Sequence, residues 1–503
     1  MRNVWRKIIA SAVVLVSVII IIATIYYKEN FAEQTFEAIF YNLKNDRGTA
    51  NYEVVIIGIK QCWWKVIALF TCLYLPLVIK KKFTINIKIK NKRKSLQIFP
   101  FNNKKYIIIV LILSILFSLT KIGLFQYISE QVHVSNIYEK KYIDSSQVKI
   151  EFPEKKRNLI YIFVESMEPT LISEDEGGGW EYNIIPELTT IAQENINFSN
   201  NDNVGGAISA YGTTWTIAGM VAQTAGIPLK INTTENNDNA GDVYFLPGVY
   251  TLGDILEQAG YNQEIMFGSD ASFGGRKNYF EQHGNYKIFD LNTAIDEGKM
   301  KEADKVWWGF DDDDLYLWAK DEILDLASCD EPFNFIMLTA DTHFVDGYLS
   351  EKAEEKYDNQ YENVFAYSSK CVSEFIRWIQ KQDFYENTTI VVVGDHIGMQ
   401  TLFYKDHIKQ KDYARTVYNA FINSAIPEAN SKNRKFSTMD IFPTVLASMG
   451  VKIEGERLGL GTNLFSGKKT LIEEMGYEKF NEELSKKSNY YNKYLLKDDY
   501  LKY

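Results

Sequence analysis

The fold can be predicted from Asn387-Thr-Thr-Ile-Val-Val-Val-Gly394-Asp395-His396. Residues 390–393 form a β-branched apolar run, which predicts a strand buried on both faces of a parallel sheet. The run ends at Gly394, and a carboxylate and an imidazole follow directly. In open α/β sheets, ligands bind beyond the carboxyl ends of the strands. Asp395 and His396 are therefore placed to hold a metal or to act on a phosphate, although a polar loop that closes a strand would show the same pattern.

Three other predicted strands end in the same way. Each apolar run is followed at once by polar side chains: residues 158–164 lead to Glu165-Ser166, residues 333–338 to Thr339-Ala-Asp341-Thr-His343, and residues 264–267 to Gly268-Ser-Asp270, with Arg276 shortly after. The carboxyl ends of parallel strands meet at one edge of a sheet. The four strand ends together predict one convergent site rather than four unrelated solvated loops.

Helical stretches separate the predicted strands, at residues 186–195, 251–259, 311–327, 361–382 and 438–449. Strand, crossover helix and next strand at this spacing predict a mostly parallel sheet flanked by helices, which is the α/β class. We expect this domain to occupy residues 158–465. Residues 127–157 are interpreted as a connector, and residues 466–503 as a charged, tyrosine-rich tail that contains a terminal helix.

Three apolar runs precede that domain, within residues 1–126. Residues 8–26, 54–79 and 107–125 are each long enough to cross a bilayer as a helix. A cleaved signal peptide is the alternative for the first run, but a small-residue cleavage site after a short core is missing and two further runs follow. The chain is therefore predicted to be a multi-pass membrane protein.

Basic residues determine the expected orientation of these spans. The N-terminus carries Arg2, Arg6 and Lys7, and the connection between the second and third spans carries ten lysines and arginines without an acidic residue. Both segments belong in the cytoplasm, which places everything after about Gln126 on the extracytoplasmic face of the plasma membrane. A nucleic-acid-binding patch is the alternative interpretation of the basic connection, and its position between two spans favours membrane topology.

The charge and cysteine content restrict the possible partners. The formal net charge is −10, and because the cytoplasmic parts are basic, the exported domain is more acidic than this total. An acidic exported domain argues against a nucleic-acid partner. Of the four cysteines, Cys329 and Cys371 lie in the exported domain. They permit one disulfide, and the sequence leaves open whether it forms.

A stretch of small and hydroxyl residues, Gly205 to Met220, follows the first strand and its helix. Its Thr213 and Thr214 precede an amphipathic run, as the first residues of a helix do. A hydroxyl at this point faces unpaired backbone N–H groups and the positive end of the helix dipole, which favour a phosphate. A helix cap without chemistry is the alternative. The metal candidates nearby favour a nucleophile, because a divalent ion lowers the pKa of a hydroxyl.

These motifs follow one another in a characteristic order: Val164-Glu-Ser166, Thr213-Thr-Trp-Thr-Ile-Ala-Gly-Met220, Trp308-Gly-Phe-Asp311, Thr339-Ala-Asp-Thr-His343, Gly394-Asp-His396 and Met439-Asp-Ile-Phe-Pro-Thr444. In this order the chain resembles the membrane phosphoglycerol transferases that decorate periplasmic glucans, and the related lipoteichoic acid synthases. Both groups belong to the sulfatase and alkaline phosphatase superfamily. The resemblance covers about residues 155–465.

The resemblance implies a metal centre and a nucleophile. Glu165, Thr213, Asp395 and His396 would be the ligands of one divalent cation. Three oxygen ligands and one imidazole suit Mn²⁺ or Mg²⁺ better than a metal that prefers thiolates. Thr213 would also be the nucleophile, and Thr214 is its main rival by position.

The resemblance also implies the residues that handle the substrate. His343 would be the acid or base near the leaving oxygen. Asp270 and Arg276 would hold the glycerol phosphate head group, and Trp308 would line the same pocket. The spacing from Asp270 to Arg276 is shifted by a residue from that of the lipoteichoic acid enzymes, and no histidine directly precedes Asp270.

The implied reaction transfers phosphoglycerol from phosphatidylglycerol to a hydroxyl of a glycan or teichoic-type polymer, through a phospho-threonine-type intermediate, and releases diacylglycerol. The spans would place the site at the outer leaflet, where the lipid donor lies. One alternative is a phosphoethanolamine transferase of the same superfamily, whose members usually carry several extracytoplasmic disulfides. Another is a catalytically silent membrane protein that binds lipid head groups. A sulfatase is disfavoured, because no Cys or Ser stands in the Cys/Ser-x-Pro-x-Arg context that formylglycine needs.

Overall fold

The computed structural model describes residues 2–31, 35–39, 52–79, 83–89, 92–99, 103–230, 244–426 and 430–496. Part of the basic connection and the last residues of the tail lie outside this set. The described residues divide into two compact units. The first unit holds the apolar N-terminal helices. The second holds residues 35–39 together with everything described from Glu130 onward.

The first unit consists of long helices and one hairpin: α1 (Arg2–Asn30), α2 (Tyr52–Val78), β1 (Phe83–Ile89), β2 (Lys92–Phe99), α3 (Asn103–Lys121) and α4 (Leu124–Val132), the last of which continues into the second unit. Among the described residues, Trp5–Asn30 and Gly58–Val78 are long and apolar enough to cross a membrane, at the positions of the first two predicted spans. The third predicted span corresponds to α3 and α4, which meet at 58°. Gly123, with a φ of +86°, lies at this break and allows the bend.

A seven-stranded sheet forms the centre of the second unit, in the order β5-β10-β9-β4-β8-β6-β7. Its strands are β4 (Asn158–Val164), β5 (Gly206–Ala207), β6 (Asn262–Phe267), β7 (Lys287–Phe289), β8 (Phe333–Leu338), β9 (Thr388–Gly394) and β10 (Val417–Ile422). Neighbouring strands from β9 to β7 run parallel, whereas β10 is antiparallel to both of its neighbours. The predicted mostly parallel α/β sheet is confirmed.

Short strands and helices complete the second unit. Two small antiparallel pairs join β3 (Ile150–Glu151) to β11 (Lys452–Ile453) and β12 (Arg457–Leu458) to β13 (Gly461–Thr462). The helices are α5 (Ile137–Lys141), α6 (Pro186–Glu194), α7 (Thr216–Ala225), α8 (Leu252–Gln258), α9 (Arg276–Gln282), α10 (Leu291–Asp296), α11 (Asp312–Ala327), α12 (Gln360–Ile379), α13 (Thr401–His407), α14 (Ile441–Ser448), α15 (Leu471–Met475) and α16 (Tyr477–Ser485). The five predicted helical stretches of this unit correspond to α6, α8, α11, α12 and α14.

The strand register brings four strand ends to one level. Val164 at the end of β4 pairs with Gly394 at the end of β9. Leu338 at the end of β8 pairs with Phe163 on one side and with Phe267, the last residue of β6, on the other. These strands are buried along their whole length apart from the first residue of β6. The polar residues that follow the four strands therefore emerge at a common edge.

The two cysteines of the second unit are not paired. Cys329 is exposed after α11, Cys371 lies within α12, and both are free thiols. The single disulfide that the sequence permits is therefore absent from the structure. The fold of this unit is held by its apolar core, which includes the buried strands β4, β8 and β9.

Candidate active site

Three side chains that can bind a metal ion meet at the carboxyl edge of the sheet. Glu165 follows β4, and Asp395 and His396 follow β9. One ligand atom from each residue lies within 4.8 Å of the other two, and all three side chains are buried. The structure thus brings three of the four predicted metal ligands into one cluster.

Hydrogen bonds from the neighbouring strand end hold Glu165 in place. Its N–H donates to Thr339 Oγ1 at 3.0 Å, and its carbonyl accepts from Thr342 Oγ1 at 2.6 Å. Both threonines follow β8. Ser166 Oγ donates to Glu165 Oε1 at 2.7 Å. The backbone of Glu165 is therefore anchored on both sides, and its carboxylate stays at the edge of the sheet.

Asp395 and His396 each direct one acceptor atom toward the centre of the cluster. Asp395 Oδ1 accepts from the N–H groups of Ser166 and His396, both at 2.8 Å. Asp395 Oδ2 is buried without a hydrogen-bond partner among the described residues. His396 Nδ1 lies 2.7 Å from the carbonyl of Ile397, and because a carbonyl only accepts, Nδ1 carries the hydrogen. In the neutral ring, Nε2 then offers its lone pair 3.2 Å from Asp395 Oδ2.

The buried carboxylates of Glu165 and Asp395 give the cluster a negative charge that a cation would offset. Burial and the charge of Glu165 raise the pKa of Asp395 to about 7. Burial lowers the pKa of His396, but the carboxylates of Asp395 and Glu165 outweigh it, so that the pKa is raised overall. Without a cation the cluster can only be neutralised by protons, whereas a divalent ion would offset both carboxylates. The orphaned Asp395 Oδ2 and the two oxygen-bearing side chains fit such an ion.

Helix α7 packs directly on the loop that carries Asp395. A Cβ added at Gly219 would lie 2.1 Å from the carbonyl oxygen of Asp395, so this close approach requires glycine. Gln223 Nε2, one turn further along α7, donates to the carbonyls of Gly394 and Asp395 at 2.9 and 3.1 Å. These contacts fix α7 against the loop that carries Asp395.

Thr216, the first residue of α7, is a site residue that the sequence analysis did not assign. Its hydroxyl lies 3.4 Å from Glu165 Oε2 and 3.5 Å from His396 Nε2. It stands inside the quoted threonine motif, but a sequence pattern locates the start of a helix only to within one or two residues. Which threonine of the motif faces the cluster therefore needed the structure.

The Thr213 hydroxyl is engaged with the backbone of its own turn. Thr213 Oγ1 donates to the carbonyl of Ala210 at 2.9 Å, and the N–H of Ala210 donates to Thr213 Oγ1 at 3.0 Å. Among the described residues these are its hydrogen bonds. Thr213 and Thr214 are both buried just ahead of α7. Their roles as nucleophile and rival stay predictions.

His343 lies after β8 among aromatic rings. Its ring is edge-on to Trp308 and Trp307, with ring centroids 5.1 and 5.9 Å apart. It stacks on Phe344 with a centroid separation of 4.5 Å. His343 Nδ1 lies 2.7 Å from the carbonyl of Phe344, which leaves Nε2 as the acceptor in the neutral ring. Burial lowers the pKa of His343 to about 4. The ring is therefore neutral near pH 7. It must accept a proton at Nε2 before it can donate one.

Two hydrogen-bond donors near this aromatic group have no partner among the described residues. Trp308 Nε1 is buried and has no partner among the residues that the structure describes. Arg276 is buried, and its Nε and Nη2 donate to Phe273 O, Ser269 Oγ and Asp270 O, whereas no bond of Nη1 to a described residue is found. A β-bridge between Ser269 and Gly309 joins the turns that carry the two side chains.

Asp270 is half-buried at the end of β6 and keeps its charge. Arg276 contacts the carbonyl of Asp270 rather than its carboxylate. Burial raises the pKa of Asp270, but hydrogen bonds from Ser272 and Asn292 and the charge of Arg276 outweigh it and lower the pKa overall. The carboxylate remains an acceptor that a hydroxylated ligand can use.

A buried ion pair, absent from the sequence analysis, supports the loop after His396. Arg415 Nε and Nη2 donate to the two carboxylate oxygens of Glu168 at 2.9 and 2.6 Å. The same pair holds Gly398, whose N–H donates to Glu168 and whose carbonyl accepts from Arg415. Arg415 also lies 3.8 Å above the ring of Tyr404. Neither residue belongs to a local pattern, because more than 240 positions separate them in the chain.

We expect Arg415→Ala to lower the free energy of unfolding by about 3–5 kcal/mol, because it leaves the fully buried carboxylate of Glu168 without its counter-ion. Urea denaturation of the full-length protein in detergent measures this. The exposed Arg377 on α12 offers a control, and Arg377→Ala should change the value by less than about 0.5 kcal/mol. A loss below about 1 kcal/mol for Arg415→Ala would contradict the buried pair.

Fold and site together define an α/β protein with a buried carboxylate and imidazole cluster suited to a divalent cation. The family model described as Sulfatase matches residues 157–451, which is more than half of the chain. The chain therefore belongs to the sulfatase family. This confirms the resemblance on which the sequence-based assignment of the superfamily depended.

Curated relatives also match part of the chain. Phosphoglycerol transferase I of Salmonella choleraesuis (strain SC-B67) is 33% identical over 327 residues, and that of Salmonella typhi is 32% identical over 327 residues. Each alignment covers 63% of this chain and 40% of the relative. The chain thus spans about 40% of the length of the curated relatives it matches.

The solved structures to which the chain is similar have lower sequence identity. The lipoteichoic acid synthase LtaP from Listeria monocytogenes is 17% identical with a TM-score of 0.49, over 66% of this chain and 81% of that one. The C-terminal periplasmic domain of EcEptC from Escherichia coli is 15% identical with a TM-score of 0.41, over 62% and 88% of the two chains.

Proposed function

We propose that this chain is a phosphotransferase that moves phosphoglycerol from phosphatidylglycerol to a hydroxyl of a glycan or teichoic-type polymer and releases diacylglycerol. The buried cluster of Glu165, Asp395 and His396, with its orphaned carboxylate oxygen, is the observation that supports this most. The relatives named phosphoglycerol transferase I suggest which group is transferred.

The metal, Mn²⁺ or Mg²⁺, would polarise a phosphate oxygen and lower the pKa of the attacking hydroxyl when bound. Glu165, Asp395, His396 and Thr213 would hold it. Thr213 Oγ attacks the phosphorus, and the bond from phosphorus to the diacylglycerol oxygen breaks. The proton of the Thr213 hydroxyl ends on that oxygen, and His343 Nε2 is the proposed relay, because the neutral ring first accepts a proton and then donates it.

The second half of the reaction releases the phosphoglycerol from Thr213. An acceptor hydroxyl attacks the phosphorus, the bond to Thr213 Oγ breaks, and the proton of the acceptor returns to Thr213 through His343. The donors Arg276 Nη1 and Trp308 Nε1 would bind the phosphate oxygens, and the Asp270 carboxylate would accept from a glycerol hydroxyl. These three residues would thereby select the head group.

The proposed donor fits the proposed topology. Phosphatidylglycerol is a bilayer lipid, and the part of the chain that the structure describes has two helices, or up to three with the bent pair, that are long and apolar enough to cross a membrane. We place the catalytic unit on the extracytoplasmic face because basic residues concentrate at the N-terminus and between the second and third spans. A site at the outer leaflet would meet lipid and glycan on the same side.

A donor-preference assay tests the proposal. The full-length protein in detergent micelles is incubated with Mn²⁺ and either fluorescent phosphatidylglycerol or fluorescent phosphatidylethanolamine, and labelled diacylglycerol is separated by chromatography. We expect release from phosphatidylglycerol to be faster by about tenfold or more, which corresponds to about 1.4 kcal/mol of head-group recognition. Chelation by EDTA should stop the release.

The other results separate the alternatives. Preferential release from phosphatidylethanolamine would move the chain to the phosphoethanolamine transferases. Absence of release from both lipids, although calorimetry shows the metal to be bound, would favour a silent head-group-binding protein. A protein truncated to the residues after the N-terminal helices is unsuited to this assay, because it would lack Glu37. The Glu37 side chain hydrogen-bonds that of Tyr211, two residues before Thr213.

A further inference from the structure

The C-terminal helix α16 contacts the turn that precedes the proposed nucleophile. This turn comprises residues 209–213. The N–H of Tyr211 donates to Asn481 Oδ1 at 2.6 Å, and the Tyr477 hydroxyl donates to the carbonyl of Ser209 at 3.2 Å. Tyr477 and Asn481 stand four residues apart and therefore share one face of α16. The helix thus touches the turn at two points.

Independent contacts hold α16 against the second unit. Phe480 and Leu484 are buried in its interior at 1% and 0% exposure. The preceding helix α15 begins with a capping box between Thr470 and Glu473, and Glu473 pairs with Arg434 at 2.8 Å. The helix is therefore a fixed support rather than a loose tail.

The contact with Asn481 reaches the Thr213 hydroxyl through a single peptide group. The N–H of Tyr211 and the carbonyl of Ala210 belong to the same planar peptide, and in the trans form they point in opposite directions. Asn481 binds the N–H side, and the carbonyl side accepts from Thr213 Oγ1 at 2.9 Å. If the peptide plane rotates, the carbonyl that orients the Thr213 hydroxyl rotates with it.

The backbone of the turn also supports the carbonyl side of that peptide, because the N–H of Thr213 donates to the carbonyl of Ala210 at 3.1 Å. Gly212 has a φ of +75°, and its carbonyl accepts from the N–H of Leu229 at 2.9 Å. A Cβ at Gly212 would lie 2.9 Å from the carbonyl oxygen of Leu229, so the turn is tight there. The peptide between Ala210 and Tyr211 is thus held by Asn481 at its N–H and by Thr213 at its carbonyl.

We propose that Asn481 is a positioning residue for Thr213, which acts through the peptide between Ala210 and Tyr211. This inference rests on the proposed function, in which Thr213 is the nucleophile. It assigns a role in the reaction to a helix that lies beyond the matched family region, residues 157–451. The C-terminal segment would then help to position the nucleophile of the active site.

Two variants of the full-length protein test this role. Asn481→Leu keeps the approximate side-chain size but removes the acceptor, and Asn481→Asp restores an acceptor oxygen. We expect Asn481→Leu to lower kcat by about 10- to 100-fold, because small displacements of a reacting group have effects of this size. The KM for the lipid and the Kd for Mn²⁺ should stay within about threefold of wild type. Asn481→Asp should recover most of kcat.

Hydrogen exchange supplies a readout that does not need turnover. Peptides that contain residues 209–216 should exchange about tenfold faster in Asn481→Leu than in wild type or Asn481→Asp, because the Tyr211 amide loses its partner. Asn492→Leu is the control in the same C-terminal segment, since Asn492 is half-buried and its backbone N–H donates to Ser488 rather than to the turn. It should leave kcat and exchange unchanged.

Unchanged exchange and kcat in Asn481→Leu would overturn the proposal. A parallel loss of kcat, metal affinity and thermal stability that Asn481→Asp does not repair would also overturn it, because that pattern marks general unfolding. If wild type releases diacylglycerol from neither lipid, the proposed function fails. The exchange of residues 209–216 then still decides whether Asn481 orders the turn.

Discussion

Asp395→Asn should abolish metal binding and lower the rate of phosphoglycerol transfer by about 10³-fold or more. The substitution removes the charge from a carboxylate of the cluster whose Oδ2 is buried without a partner among the described residues. Stabilisation of transition-state charge by a metal is worth several kcal/mol, and about 4 kcal/mol corresponds to 10³ in rate. Isothermal titration with Mn²⁺ and the diacylglycerol assay measure the two effects.

The difference in thermal stability between Asp395→Asn and wild type should have opposite signs in Mn²⁺ and in EDTA. Wild type should gain stability from Mn²⁺, because the ion binds the folded cluster, and Asp395→Asn should gain little. In EDTA the order should reverse at pH 8. Burial and the charge of Glu165 raise the pKa of Asp395 from 3.8 to about 7, so the ionised carboxylate destabilises the metal-free fold.

The pH dependence of that difference follows from the direction of the shift. An acid with a raised pKa contributes stability at low pH and loses it as the pH rises from 3.8 to about 7. In EDTA at pH 8, the free energy of unfolding of Asp395→Asn should therefore exceed that of wild type by up to about 4 kcal/mol. The difference should vanish near pH 4. Asp412→Asn, at an exposed loop position, is the control. An unchanged Mn²⁺-induced stabilisation in Asp395→Asn would contradict the assigned ligand.

The strands of the site were predictable because each carries its own boundary signal. The predicted runs 158–164 and 333–338 coincide with β4 and β8, since apolar residues there are flanked by polar ones. β6 and β9 begin two residues earlier than predicted, at Asn262 and Thr388. Gln263, Thr388 and Thr389 at these two strand starts are polar but buried, which a local pattern does not show.

The cluster of Glu165, Asp395 and His396 was predictable for a different reason. Parallel strands place their carboxyl ends at one edge, so Glu165 and Asp395 could be brought together without knowledge of any distance. The geometry of the threonines could not be obtained in this way. The Thr216 hydroxyl lies 3.5 Å from His396 Nε2 because α7 packs on this loop through the contact of Gly219 with the backbone of Asp395.

The supports of the site were beyond sequence reasoning because they join distant segments. Glu168 and Arg415 lie 247 positions apart, and Tyr211 and Asn481 lie 270 positions apart. No periodicity or motif links residues at such separations. The sequence predicts a charged, tyrosine-rich tail with a terminal helix around Asn481. Composition does not show which face of that helix, α16, packs on the turn.

Thr213→Ala should lower phosphoglycerol transfer by about 10³-fold or more and leave the Kd for Mn²⁺ within about tenfold of wild type. Loss of the nucleophile removes the covalent step, whereas Glu165, Asp395 and His396 still hold the ion. Thr213→Ser keeps a hydroxyl and should retain transfer within about tenfold. The diacylglycerol assay gives the rates, and calorimetry gives the metal affinity.

The hydrogen bonds of Thr213 in the structure are compatible with this expectation on energetic grounds. Its hydroxyl donates to the carbonyl of Ala210, and that bond must be given up before the oxygen attacks. The net cost of one such bond is about 1 kcal/mol, or about fivefold in rate. A cost of this size is small beside the several kcal/mol that a divalent ion supplies when it lowers the pKa of a hydroxyl.

The covalent intermediate decides between Thr213 and its neighbours. Full-length protein is mixed with phosphatidylglycerol and Mn²⁺ without an acceptor, quenched in acid and digested, and the modified residue is located by tandem mass spectrometry. We expect the glycerophosphoryl group on Thr213, and Thr214→Ala should still form it. A modified Thr214 would transfer the role to the rival. A modified Thr216 would show that the hydroxyl 3.4 Å from Glu165 attacks, and that Thr213 only shapes the turn.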